Sequence, residues 1–366
     1  MDPHGPIATR FPLVARVRPA CPPLPARVRA LVDLADRAVE QYEEGPASAV
    51  FNGAALLASD LGLPDLARSL CHRHAGAYLR ACPLSATRAI RALEPLVNLA
   101  RLQIRAGQTD DGRHRLLGLY EAVGTGSTAV FEDITVPATL TATVEDRREV
   151  HAWLWRVVLA DGTRTLTTTG RWREALAHIE QHRGVGTRML DGRQVAVVAA
   201  LTEGGKNRAA ALLADTAPGE PWEQAVTACL TVLSRRDVPQ RDDSSVAELV
   251  NTFLGREAEP GLTVFDTRLG LTVLDAVGPE HPRARPLVED LMRRATASLN
   301  GYAARDLISH ALFAALATDG EARACRDLIR VCGLGAELLP DELASDLSTA
   351  LDRSEAVITQ SSAAAA

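Results

Sequence analysis

A glycine between two helical stretches, followed five residues later by a small residue, recurs along this chain and constrains its fold more than any other feature. The clearest copy is TGRWREALAHIE, residues 169–180, with Gly170, Trp172 and Ala175. Two antiparallel helices joined by a very short turn need a residue that tolerates a left-handed backbone, and glycine supplies it. A large apolar residue just past the turn packs back between the helices. A small residue one turn later lets the second helix approach the first. LGLPDLARSL repeats the pattern with Gly62, Pro64 and Ala67, and AGQTDDGRHRLL repeats it with Gly107, Thr109 and Gly112. In EGGKNRAAALL the pattern falls on Gly205 and Ala210, and TDGEARACRDLI is a looser copy on Gly320 and Cys325.

The segments around these glycines are helical in pattern. Apolar residues recur at spacings of three and four, as in PARVRALVDLADRAVEQYEEG (25–45) and LEPLVNLARLQIRAG (93–107). The apolar share is mostly Ala, Leu and Val, and aromatics make up only 4%, so propensity also favours helix. The expected fold class is all-α. The Pro-rich residues 1–24 read as an irregular arm, 25–353 as one helical repeat domain, and 354–366 as a flexible tail. Two stretches interrupt the domain. TGSTAVFEDITVPATLTATVED (125–146) is rich in Thr, Val and Ile and reads as an extended insertion, a hairpin or a surface strap. SRRDVPQRDDSS (234–245) is linker-like and marks a candidate subdomain break.

The glycine, aromatic and small residues of GRWREAL resemble the tetratricopeptide repeat, in which a glycine ends the first helix of a pair. The likeness extends over about residues 25 to 350, with irregular intervals and the insertion breaking the period. ASDLGLPDLARSLCHRH and LDGRQVAVVAAL…PWEQAVTACL also resemble actinobacterial proteins of this helical type. The resemblance implies a right-handed superhelical stack of antiparallel helix pairs, whose concave face is lined by the first helix of each pair. It implies no reaction.

The chemistry-bearing motifs argue against catalysis. HIEQH puts His178 and His182 four apart, the spacing a zinc site uses, but Glu180 stands one position too late for a metalloprotease and no third ligand is close in sequence. CHRH sets Cys71 and His74 one turn apart, where packing explains them. GGKN lacks the earlier glycine and the hydroxyl residue of a phosphate loop, having Ala200 and Asn207 there. No nucleophile elbow or dinucleotide loop occurs. No metal and no cofactor is therefore expected. The six cysteines form no paired motif and read as free thiols of a reducing compartment. The net charge is −6 and Lys206 is the single lysine. No basic run survives its acidic neighbours, so nucleic acid is not an expected partner. Without a signal-like or bilayer-length apolar run, a cytoplasmic location away from membranes is expected.

If the repeat glycines set the register, Asn52, Asn98, Arg101, Asp161 and Arg164 fall at inward-facing positions. Arg101 and Arg164 share one offset, six before their glycines. Such a groove would clamp a peptide backbone or a carboxylate, unless the arginines bridge acids between repeats. The expected function is a noncatalytic scaffold or adaptor for a protein or peptide partner, acidic in character, regulatory or accessory to a biosynthetic enzyme. A ligand-sensing regulator and an all-α enzyme with a dispersed site are the alternatives, and self-association stays open.

Overall fold

The three- and four-residue apolar spacing folds as helix nearly throughout. The computed structural model describes residues 1–235 and 243–364. Helix accounts for 71% and strand for 2%, so the chain is all-α. After an arm holding a short 3-10 helix at Ala8–Arg10 come α1 (Leu24–Gln41), α2 (Glu44–Leu61), α3 (Pro64–Leu79), α4 (Ala86–Arg105) and α5 (Thr109–Thr125). The strands β1 (Ala129–Phe131) and β2 (Ile134–Val136) follow, then α6 (Val144–Val157), which runs through a π-turn at Val158–Gly162 into α7 (Thr163–Thr167). The chain continues as α8 (Trp172–Gln181), α9 (Asp191–Thr202), α10 (Lys206–Ala214), α11 (Pro221–Ser234), α12 (Asp243–Leu254), α13 (Thr263–Val277), α14 (Ala284–Ala297), α15 (Gly301–Ile308), α16 (Ala311–Leu316) and α17 (Asp319–Val331). It closes with α18 (Asp341–Ala364).

These elements form two compact units. Met1–Pro23 with Leu166–Cys332 make one, here the arm unit; Leu24–Thr165 with the chain from Gly333 onward make the other, the hairpin unit. The chain thus changes unit beside Pro23, Thr165 and Cys332. The linker-like 234–245 is not one of these crossings, and its residues 236–242 lie outside the described residues.

Four glycine turns that lead from one helix into the next share one geometry. Gly62, Gly107, Gly170 and Gly204 all have φ between 74 and 86°. In each, the glycine N–H meets the carbonyl three residues back, and the next N–H reaches the carbonyl five residues back: Leu63 to Ala58, Gln108 to Gln103, Arg171 to Leu166, Gly205 to Ala200. This is the left-handed helix cap that satisfies the last free carbonyls. Five residues on, Ala67, Gly112, Ala175 and Ala209 are all buried. At Gly112 a Cβ would lie 2.7 Å from Ile104 and 2.8 Å from the Ala100 carbonyl oxygen, so α5 approaches α4 as closely as a glycine permits. Two copies differ from expectation. Gly204, not Gly205, takes the left-handed turn, and Ala209, not Ala210, is buried. Gly320 lies inside α17, whose start is made by a capping box of Thr318 and Glu321.

The hairpin unit packs α1 to α6 in sequence, with α4 also touching α2 and α6. Its core holds Phe51, Leu57, Tyr78, Leu93, Leu96 and Leu116. The 125–146 insertion is an antiparallel hairpin, with Ala129 opposite Val136 and Phe131 opposite Ile134. It is pinned at its tip, where the buried Glu132 carboxylate accepts from Gln103 and pairs with Arg68 and His72 at 3.0 Å each. The expected flexible tail is instead helix to Ala364. Leu347, Ala350, Leu351, Ser354, Val357 and Ile358 form a buried stripe, and α18 packs on α1, α2 and α3. Ser, Glu and Thr between the apolar positions dilute this stripe enough to hide it in the sequence.

Outside its short 3-10 helix the arm has no helix or strand, yet it is core. Ala8, Phe11, Leu13 and Cys21 are buried in the arm unit. The Met1 ammonium donates to the Leu201 carbonyl at 3.1 Å, and Arg10 pairs with Asp275 at 2.8 Å. Trp172, first residue of α8, is buried, and its indole N–H donates to the Pro3 carbonyl at 3.0 Å. The tryptophan past the turn glycine therefore does two things: it fills the space beside the turn and holds the arm.

Candidate functional site

On α2, Glu44, Ser48 and Asn52 are spaced by four. On α4, Arg88, Arg91, Glu94, Asn98, Arg101 and Arg105 are spaced by three and four. Each series makes one stripe on its helix, and α2 and α4 bring the stripes together. Glu44 pairs with Arg88 at 3.3 Å and with Arg91 at 3.5 Å. Asn52 Nδ2 donates to Glu94 Oε2 at 2.7 Å, Asn98 Nδ2 to Asn52 Oδ1 at 3.0 Å, and Arg101 to Asn98 Oδ1 at 3.1 Å. Arg101 also donates from two nitrogens to Asp161 Oδ2, at 3.1 and 2.8 Å. Arg105 donates to Ser59 Oγ at 2.6 Å.

The order of this chain follows from its ends. A guanidinium only donates, so Arg101 turns the Asn98 carbonyl toward itself. Asn98 must then offer its NH₂ to the Asn52 carbonyl, which leaves the Asn52 NH₂ for the Glu94 carboxylate. Burial pushes the Glu94 carboxyl above its ordinary value, opposed by the Asn52 hydrogen bond and by Arg91 and Arg101. Below the seam, Ser48 meets His74 Nε2 at 3.0 Å. His74 is 1% exposed, stacks on Phe51, and is pushed down to about 3 by burial. It is a neutral core imidazole.

Four of the five groove residues expected from the sequence, Asn52, Asn98, Arg101 and Asp161, thus belong to one hydrogen-bonded chain. The π-turn delivers Asp161 to it. Arg164, one turn further on α7, is half-buried. Arg101 bridges an acid of another helical segment, the plainer of the two roles expected for it. Each asparagine amide uses one N–H and one lone pair within the seam. Both side chains are half-exposed, so one N–H and one lone pair on each remain for another group.

The other candidates sit among ring and core contacts. His178 and His182 meet edge to face, with ring centroids 4.8 Å apart, and burial lowers His182. Among the described residues no group of three His, Cys, Asp or Glu could hold a metal ion. Burial pushes the Cys71 thiol up to about 12. Trp153 packs on the hairpin-unit core, and Trp222 meets Phe265 edge to face at 5.9 Å. No helix of the described residues is long and apolar enough to cross a membrane.

Sequence reasoning missed Gln194. Its side chain is fully buried on α9. Oε1 accepts the Leu13 N–H at 2.7 Å, and Nε2 donates to the Leu13 carbonyl at 2.7 Å and to the Met189 carbonyl at 3.0 Å. Both polar groups of one arm residue are thus held by one carboxamide. Gln194 stands ten residues before its turn glycine, Gly204, and Asn52 stands ten before Gly62. Placing the turn at Gly205 hides that shared offset. Comparison with protein-family models, with curated proteins and with solved structures finds no match, which leaves the tetratricopeptide likeness resting on the four glycine turns.

Proposed function

We propose that this chain is a noncatalytic scaffold of tetratricopeptide-like helix pairs, stacked as a right-handed superhelix, that binds an extended peptide segment of a partner protein along the α2–α4 seam. The observation that carries this reading is the clasp in the arm unit. There a carboxamide ten residues before the turn glycine takes both the N–H and the C=O of one residue outside any helix or strand. Asn52 has the same offset and the same chemistry, and its neighbour Asn98 extends the row. The unused N–H and lone pair of each amide match one backbone C=O and one N–H. Arg101 supplies the acid-reading end. Asp161 sits on its guanidinium as a ligand carboxylate would, so an acidic or C-terminal group of the peptide exchanges with Asp161, and Arg164 flanks the exchange.

The test is binding to an immobilised library of short extended peptides, half with free C-termini and half amidated. The wild-type chain is compared with the Asn52→Ala, Asn98→Ala double variant. Each carboxamide contributes about 1 kcal/mol or more through its pair of hydrogen bonds, so the double variant weakens the captured peptides by at least about tenfold. Peptides held equally by both proteins would remove the seam from the function.

A further inference from the structure

The arm unit carries a cleft of about 460 Å³ between the α10–α11 loop, α11 and α12. The threonines on its α11 side are built in one sense. Thr227 and Thr231, on successive turns of α11, each donate their hydroxyl proton to the carbonyl four residues back, both at 2.8 Å. Thr216 does the same to the Leu212 carbonyl at 2.8 Å. The Gln224 amide nitrogen donates to the Gly219 carbonyl at 2.9 Å. With their protons committed to the backbone, the Thr227 and Thr231 oxygens are left as acceptors, whereas the Thr216 oxygen already accepts from Arg193 Nε at 3.4 Å.

Two carboxylates complete the wall, and their charges are handled differently. Glu223 is buried. It is paired with Arg188 and accepts the Glu220 N–H at 3.2 Å, and the Arg188 hydrogen bond holds it below the ordinary carboxylate range. Its charge is compensated. Glu248 stands exposed on α12, with no ion-pair partner among the described residues. No Lys or Arg side chain lines the cleft among the described residues, and Val232 and Leu249 give it an apolar strip. A carboxylate or phosphate would meet lone pairs and a like charge there. A group rich in N–H donors, carrying one positive charge on a short aliphatic stem, complements the Thr227 and Thr231 oxygens, the Glu248 carboxylate and the apolar strip.

We infer that this cleft binds an alkylammonium or alkylguanidinium group, with Glu248 as its counter-charge and Thr227 and Thr231 as the acceptors that orient it. The same chemistry reaches the cleft either as a free polyamine-like metabolite or as a Lys or Arg side chain of another protein. It does not depend on the α2–α4 seam, which lies in the other unit.

The test titrates the full chain with putrescine, agmatine, an acetylated and amidated Gly-Arg-Gly peptide, and butanediol as the neutral counterpart of putrescine. Binding is followed at the threonine methyl groups by NMR. The expected result is saturable shifts at Thr227 and Thr231 with the cations, and binding of the diol at least about tenfold weaker. Glu248→Gln, on an exposed side chain, lowers cation affinity by about tenfold, and Thr231→Val lowers it by a smaller factor without unfolding the chain. Tighter binding of agmatine than of the tripeptide identifies the metabolite source, and the reverse order identifies the side-chain source. Equal binding of diol and diamine, no cation binding, or unchanged affinity in Glu248→Gln would each overturn the inference.

Discussion

The two units place a carboxamide at the same distance from the same turn and use it differently. In the arm unit, Gln194 is fully buried and all its described bonds go to backbone, two of them to Leu13 of the arm. In the hairpin unit, Asn52 is half-exposed and bonded to other side chains, Glu94 and Asn98. The arm unit thus holds a non-helical segment of its own chain, and the hairpin unit holds none at Asn52. The longer glutamine reaches across to a backbone; the shorter asparagine meets its neighbours on α4. One local motif therefore serves structure in one unit and leaves capacity for a partner in the other.

The largest expected effect lies at the filled clasp. Gln194→Leu keeps the side-chain volume but leaves the Leu13 N–H and C=O buried without partners. Each such group costs about 1–3 kcal/mol, so the arm unit loses about 2 kcal/mol or more. Hydrogen exchange, which reads each unit separately, should show protection falling across Ala8–Leu13 and α9. Asn52→Leu costs the hairpin unit about 1 kcal/mol or less, because its amide faces water on one side. Equal losses in the two units would erase the distinction between a structural and an available carboxamide.

A second difference is electrostatic and opposite in sign. Burial holds Glu94 of the hairpin unit above its ordinary value of 4.5. The native state therefore binds this proton more tightly than the unfolded chain, and Glu94 makes the unit less stable as pH rises above 4.5. Glu321 of the arm unit is held at about 2, chiefly by Arg285. Its contribution is present above 4.5 and is lost as pH falls toward 2. Denaturation across this range should show Glu94→Gln gaining on wild type as pH rises above 4.5. Glu321→Gln should lose its disadvantage as pH falls toward 2. Parallel pH profiles for the two variants would refute this assignment.

How much of this was legible depended on sequence distance. The turns at Gly62, Gly107 and Gly170 were readable because a left-handed cap is a local requirement. The Gly204–Gly205 doublet was not, since either glycine tolerates the turn and only the helix ends decide. Thr318 and Glu321 carried the capping signal that should have outranked Gly320. Asn52, Asn98, Arg101 and Asp161 could be grouped from the sequence because fixed offsets from turn glycines map to one helix face. Glu94, which ends their hydrogen-bond chain, looked like any solvated acid on α4. The docked arm was invisible, because Leu13 and Gln194 lie 181 residues apart and no periodicity links them. The buried stripe of α18 was lost for the opposite reason, being local but diluted by polar residues.

The smallest expected effect on stability falls on the most informative residue of the seam. Arg101 is 49% exposed where it pairs with Asp161, and pairs of that kind contribute only about 0–1 kcal/mol. Arg101→Ala should therefore shift the unfolding midpoint of the hairpin unit very little. Its effect on recognition is larger for a geometric reason. The guanidinium holds the Asn98 carbonyl; without it the Asn98 amide keeps only its bond to Asn52, while Glu94 still orients Asn52. If the seam reads a backbone, Arg101→Ala weakens neutral and acidic peptides alike. If Arg101 reads the ligand carboxylate itself, acidic and free C-terminal peptides weaken far more than amidated ones. Measuring both peptide classes against Arg101→Ala and Arg164→Ala separates an orienting arginine from a charge-reading one, and unchanged affinity for both classes in both variants would leave the arginines as braces between helices.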